Sequence, residues 1–200
     1  MDPIDQAHTN DTADNDTVVI VDYDASWPTL FEEEQARLTP AIASFARSID
    51  HIGSTAVPDL CAKPIIDLLV TVEPLGPAQR YAAALTAFGY VLRADTAQTQ
   101  RYAFGKRDAQ GKRPVPGYNL HVVQHAGVEH QRPIAFRDYL RTHPDAMRAY
   151  GVLKRRLAVA YAHDRDGYTW AKGAFVRSIE ALALTQQEPP LAASAGIEES

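Results

Sequence analysis

Between His51 and Asp67 the chain groups a histidine, a Gly53-Ser54-Thr55 step, Lys63 and a carboxylate, a set of residue types suited to handling phosphate. Glycine lets an anion approach the backbone, while successive N–H groups and two hydroxyls offer hydrogen bonds to its oxygens. The plain alternative is an ordinary strand-to-helix turn, and Walker A spacing is absent. Asp67 interrupts an apolar run, Ile65, Ile66, Leu68, Leu69 and Val70, that reads as a strand covered on both faces. A carboxylate placed there needs a metal, a cation or hydrogen bonds, and backbone amides alone would satisfy it. The two-residue period of a strand puts His51 on the same face as Gly53, aimed at the same cleft as a base or ligand. A hydrogen-bonded structural role competes with that reading. Lys63 either meets a phosphate as a point charge or is a solvated surface lysine.

Elsewhere, Arg101 and Lys106 sit on one strand candidate, where they either bracket a triphosphate or are exposed strand charges. Asn119 and His121 share a face of a strand expected to neighbour that of Asp67. Tyr168, Lys172, Phe175, Ile179 and Leu182 form a single helical stripe, which puts a lysine in line with core residues. Snorkelling explains many such lysines. Arg137, Asp138 and Arg141 are placed for an ion-pair network on a helix surface. Cys61 reads as a small core residue, and His125, His130, His143 and His163 as surface or capping residues.

The elements that must position these groups follow from patterning. Strand candidates are Val18 to Tyr23, Ser48 to Gly53, Ile65 to Val72, Tyr90 to Arg93, Arg101 to Lys106 and Asn119 to Gln124. A helix starts at Ser26-Trp-Pro with a hydroxyl cap and buries Phe31, Leu38, Ile42 and Phe45. Tyr81, Leu85 and Phe88 mark a second helix, closed by Gly89. The Gly- and Pro-rich segment from Arg107 to Gly117 reads as a mobile loop or long hairpin connection. Three helices follow, opening at Pro133, at Thr142-His-Pro-Asp and at Asp166. Strands mixed with helices first and helices last predict an α/β (α+β) core with a helical C-terminal portion.

The chain has 200 residues, 46% of them apolar, enough for one core without staples. One cysteine rules out a disulfide framework within the chain and favours a reducing compartment, so the cytoplasm is expected. No apolar run is long enough to span a bilayer. Residues 1–16 hold five Asp and residues 186–200 three Glu, so both ends are expected to be disordered tails around a mildly basic body. That balance argues against a dedicated duplex-binding protein and leaves room for a local phosphate patch.

Taken together, these segments resemble the GrpB family of the nucleotidyltransferase-fold superfamily. The resemblance is carried by Val21-Asp-Tyr-Asp-Ala-Ser-Trp-Pro28, the His51 to Val70 block, Asn119-Leu-His-Val-Val123, Phe136 to Pro144 and Tyr168 to Phe175. It implies a nucleotidyltransferase-like mixed sheet flanked by helices over residues 17–185, with a sheet core over 17–126 and a helical part over 127–185. It further implies metal-assisted transfer of a nucleoside monophosphate from a nucleoside triphosphate to an unknown acceptor. In that scheme Gly53, Ser54 and Thr55 bind phosphate, Lys63 offsets leaving-group charge, and Tyr168 and Lys172 reach toward base or phosphate. Asp67 with His121 holds Mg2+, and His51 acts on the acceptor. Two departures weaken the metal: Leu69 stands where a second acid is usual, and Asn119 where a histidine is expected. A weak or single ion, or a non-catalytic nucleotide-binding or protein-interaction role, follows from them.

Overall fold

A computed structural model describes residues 17–96 and 100–187, and the expected tails fall outside these apart from residues 186–187, which continue α5 as helix. The apolar run around Asp67 forms β2 (Ile65–Val72), the second strand of a five-stranded sheet. The other strands are β1 (Ala46–Ile52), β3 (Tyr90–Thr96), β4 (Arg101–Lys106) and β5 (Gly117–Gln124), in the order β1-β2-β5-β4-β3. Only β2 and β5 run parallel; the remaining pairs are antiparallel. This is a mixed sheet, as the sequence suggested, and helices cover both of its faces.

Among the described residues five α-helices complete the fold: α1 (Trp27–Ile42), α2 (Ala78–Leu85), α3 (Val128–Thr142), α4 (Pro144–Ala160) and α5 (Arg165–Gln187). On one face, Trp27, Phe31, Leu38 and Ile42 of α1 and Tyr81 and Leu85 of α2 pack on Ile66, Leu68, Val70, Leu120 and Val122. Leu68 and Leu120 are wholly buried there, and each such side chain stabilises the fold by roughly 1.5–3 kcal/mol. The opposite face carries Ile52, Leu69 and Val123 against Ile134 of α3. A third cluster joins Val57 and Leu60, from the β1–β2 connection, to Phe136, Leu140, Tyr150 and Ile179 of the three C-terminal helices.

Local departures have local causes. Val18 to Tyr23 is not a strand: it makes one isolated bridge, Val21 to Ala62, and a bond from Val18 N–H to Ala162 O. Ser26 does not cap α1 with its hydroxyl; its own N–H instead donates to Asp24 Oδ1 at 2.8 Å. Helix α3 begins at Val128 rather than at Pro133; Pro133 is its sixth residue and lacks the N–H that would bond the Glu129 carbonyl. Gly89 ends the second helix with φ +83° after a short 3-10 turn, as its position predicted. Among the described residues, no helix is long and apolar enough to cross a membrane.

Candidate functional site

Register decides which side chains meet. Asp67 pairs with Ile52 on β1 and with Asn119 on β5, and Asn119 pairs with Gly105 on β4. These four positions form one row across the face that α3 and α5 cover. At the β1 end of the row the chain turns at Gly53, whose φ of 73° and ψ of −168° belong to a region that only glycine occupies readily. A Cβ on Gly53 would lie 2.6 Å from Asp67 Oδ2, so the carboxylate rests directly against the bare glycine. The Gly-Ser corner and the strand carboxylate therefore converge, as the sequence pattern suggested.

Asp67 keeps part of its surface open while protein surrounds the carboxyl, and that desolvation raises its pKa. The Asn119 bond and the charges of Lys172, Arg113 and Lys63 act the other way. Its hydrogen-bond partner among the described residues is a side chain, Asn119 Nδ2, which donates to Oδ1 at 2.7 Å. Backbone amides do not hold it.

Lys63 and Lys172 lie over the ring of buried Tyr168, at 5.1 and 5.3 Å from its centroid. Among the described residues neither ammonium makes a hydrogen bond or an ion pair. Burial, then the charges of Lys172 and Arg165, push Lys63 down to about 7. Lys172 is likewise lowered by burial, against the attraction of Asp67. Ser54 enters through the buried phenol of Tyr150 on α4, whose pKa is raised by burial and drawn back by a hydrogen bond with the Ser54 side chain.

Two further cations reach the row. Arg113, in the β4–β5 connection, donates from NH2 to Asn119 Oδ1 at 2.8 Å, and Arg93 donates from NH1 to the same oxygen at 3.2 Å. Neither was singled out in the sequence. The available signal was a pair of strand glycines, Gly105 and Gly117, since a glycine inside a strand marks close approach by another group. Asn119 was placed on the strand beside Asp67 and noted as a departure from the family pattern, yet it is the hub between the carboxylate and both guanidinium groups.

Five expected site residues lie elsewhere. His51 falls on the other face from Ile52, stacked on Phe31 of α1 at 4.7 Å, and burial followed by the charges of Arg141 and Arg137 lowers its pKa to about 4. Its Nε2 lies 3.1 Å from Thr55 Oγ1, which donates to Ile65 O at 2.9 Å, so the imidazole is the donor to the hydroxyl. That uses up buried Thr55 as well. The two-residue period misled because the turn at Gly53 breaks the strand before it can carry His51's face forward. Lys106 also points to the α1 face, where it binds both carboxylate oxygens of buried Glu34 at 2.6 Å. Arg101 stays on the site's face but pairs with Val123, four residues along β5 from Asn119. It bonds the His121 ring, at 3.0 Å to Nδ1 and 3.2 Å to Nε2, and faces Glu129 at 3.6 Å.

This donor set does not fit a magnesium ion held by the protein. His121 stands one strand period beyond the Asp67 row, roughly 7 Å along, with a guanidinium against both ring nitrogens. One oxygen of Asp67 is taken by an amide, the flanking position is apolar Leu69, and the surrounding charges are positive. Among the described residues no group of three or more His, Cys, Asp or Glu could hold a metal. What surrounds the row instead is positive charge, from Lys172, Arg113 and Lys63.

The sequence profile of the GrpB protein family matches residues 17–182. A UPF0157 protein of Pseudomonas aeruginosa is 38% identical over 182 residues, covering 90% of this chain and 73% of the relative. A protein named dephospho-CoA kinase from Mycolicibacterium paratuberculosis is 31% identical over 197 residues, spanning 86% of this chain but 48% of that longer one. The crystal structure of the conserved protein GrpB from Enterococcus faecalis superposes with a TM-score of 0.74 at 33% identity, over 84% of this chain and 98% of that chain. With the match running from the first described residue almost to the end of α5, the chain belongs to the GrpB family.

Proposed function

We propose that this protein binds a phosphate-bearing small molecule, a nucleotide in the first instance, between the Gly53-Ser54 corner and the lysines on Tyr168. One observation carries the reading: two half-buried ammonium groups face one ring and each other without an ion-pair partner among the described residues. Desolvating an ammonium costs several kcal/mol unless a counter-charge repays it. A phosphate between Lys63 and Lys172 supplies that counter-charge. The bare side of Gly53 is taken by the Asp67 carboxylate, so at this corner a phosphate would meet backbone N–H groups and the Ser54 hydroxyl.

Nucleotidyl transfer is the second reading, favoured by the partly open carboxylate against the Gly-Ser corner. Catalysis there would rest on positioning and on cationic stabilisation of phosphoryl charge. Any divalent ion would have to be brought by the substrate's own phosphates. Because a longer relative carries the name dephospho-CoA kinase, coenzyme A precursors belong among the ligands to try.

Calorimetry with ATP, GTP, CTP and dephospho-coenzyme A, with and without magnesium, separates the readings. Binding that persists without metal and releases no pyrophosphate is the expected result. Pyrophosphate release that Asp67→Asn abolishes would instead establish transfer. Failure of all four ligands to bind in either condition would sink both.

A further inference from the structure

The two arginines on Asn119 are held by an arrangement separate from the lysine pair. Strand β3 carries an irregularity between Leu92 and Ala94, and Arg93 is the extra residue. A bulge of this kind re-aims a side chain. Here it sends the Arg93 stem across β4, over Gly105, where a Cβ would sit 2.6 Å from Arg93 Cδ. Arg113 crosses Gly117 in the same way, with a Cβ there in collision with Arg113 Nε. Two arginines from distant segments thus lie over two strand glycines and converge on one carbonyl oxygen.

Asn119 is fixed for this task. Its amide donates to Asp67 and its oxygen accepts from both guanidinium groups. The flipped amide would set oxygen against carboxylate and N–H against guanidinium, so only one orientation satisfies all three neighbours. A guanidinium is a planar fork of five donors, matched to phosphate or carboxylate oxygens. The shared oxygen receives one N–H from each.

Resting on the binding role proposed above, we infer that Arg93 and Arg113 are specificity-determining residues that read a second anionic group on the same ligand. The lysines and Gly53-Ser54 take one phosphate; the arginines take the next along the row, toward β4. The guanidinium groups meet on Asn119 of β5, one strand and so roughly 5 Å from β2, and the Arg93 end runs on over Gly105, roughly 10 Å from β2. Linked phosphates follow the row from the lysines past Asn119 toward Gly105, whereas a single phosphate occupies only part of it. The substrate class is therefore a polyphosphate, and the exposed position of Arg93 leaves that end open to solvent.

Titration calorimetry of the full chain with orthophosphate, pyrophosphate and tripolyphosphate tests this. In the parent protein tripolyphosphate should bind at least tenfold more tightly than orthophosphate. Arg93→Gln should weaken tripolyphosphate tenfold or more and leave orthophosphate within twofold, Arg113→Gln should weaken tripolyphosphate more than orthophosphate, and Lys63→Met should weaken both. Arg93 is exposed, so its variant should keep the parent's melting temperature and a normal fold. Equal affinity for orthophosphate and tripolyphosphate in the parent overturns the two-anion assignment alone. Equal losses for both probes in the arginine variants, or no loss, overturn it too. If no phosphate binds at all, the binding role falls with it.

Discussion

At Gly53 two independent constraints fall on one atom: a backbone conformation that disfavours any side chain, and an aspartate oxygen 2.6 Å from where a Cβ would be. Gly53→Ala should lose about 1–3 kcal/mol from backbone strain alone. For a chain of this size that lowers the melting temperature by roughly 2–4 °C per kcal/mol, and ligand affinity falls with it as Asp67 is displaced. A melting temperature unchanged within a degree would show the turn to be less constrained than described. Lys63 gives the second test. Its pKa is lowered to about 7 from an ordinary 10.5, so between these values the unfolded chain holds a proton the folded chain lacks. Stability from this group therefore rises with pH across that window, while attraction for an anion runs the opposite way and fades above about 7. Sulfate, which does not titrate there, should bind less tightly as pH climbs from 6 to 8.5. Lys63→Arg should flatten that dependence; a flat profile in the parent would remove Lys63 from the site. The sequence marked Gly53 and Lys63 as candidate phosphate contacts but showed neither the approach of Asp67 to the glycine nor the lowered pKa of the lysine.

Elements explain what the sequence showed and what it hid. Strands β2 and β4 were legible to the residue because an apolar run and a clear boundary define them. Which face each residue serves was less legible, since it depends on where the alternation is interrupted, as at the Gly53 turn for His51. Helix α3 shows the same limit. Arg137, Asp138 and Arg141 do form the expected ion pairs, but the arginines also reach into the β1–β2 connection. Arg137 donates to His51 O and Arg141 to Ala56 O, each at 2.9 Å, so they hold the Gly53 turn from both sides. Removing a charged donor from a carbonyl costs about 1.5–3 kcal/mol. Arg141→Ala should therefore destabilise the fold by that order and speed hydrogen exchange of the Ser54 to Val57 amides. Exchange no faster than in the parent would mean the turn stands without the clamp.

Across the whole molecule the sheet separates two ionic systems by one backbone layer. On the α1 face Glu34 is buried with Lys106, Arg37 and the Tyr90 hydroxyl around it, a closed set with its charges answered. At the Gly53 corner of the α5 face the balance is reversed: Asp67 stands among Lys172, Arg113 and Lys63. Sequence alone could not sort Lys106 from Lys63, because the distinction lies in which layer each side chain enters. Stability and binding should divide along the same line. Glu34→Gln strands the Lys106 ammonium in the core, and breaking one side of a buried pair costs about 3–5 kcal/mol. Glu34→Met with Lys106→Met, which removes both charges and keeps the volume, should recover much of that loss. Urea unfolding measures the first effect, and tripolyphosphate calorimetry on the double variant, at a temperature where it is folded, measures the second. Affinity within twofold of the parent is the expected outcome, since no phosphate contact crosses the sheet. A large loss of affinity would place the anion on the α1 face and return Lys106 to the ligand.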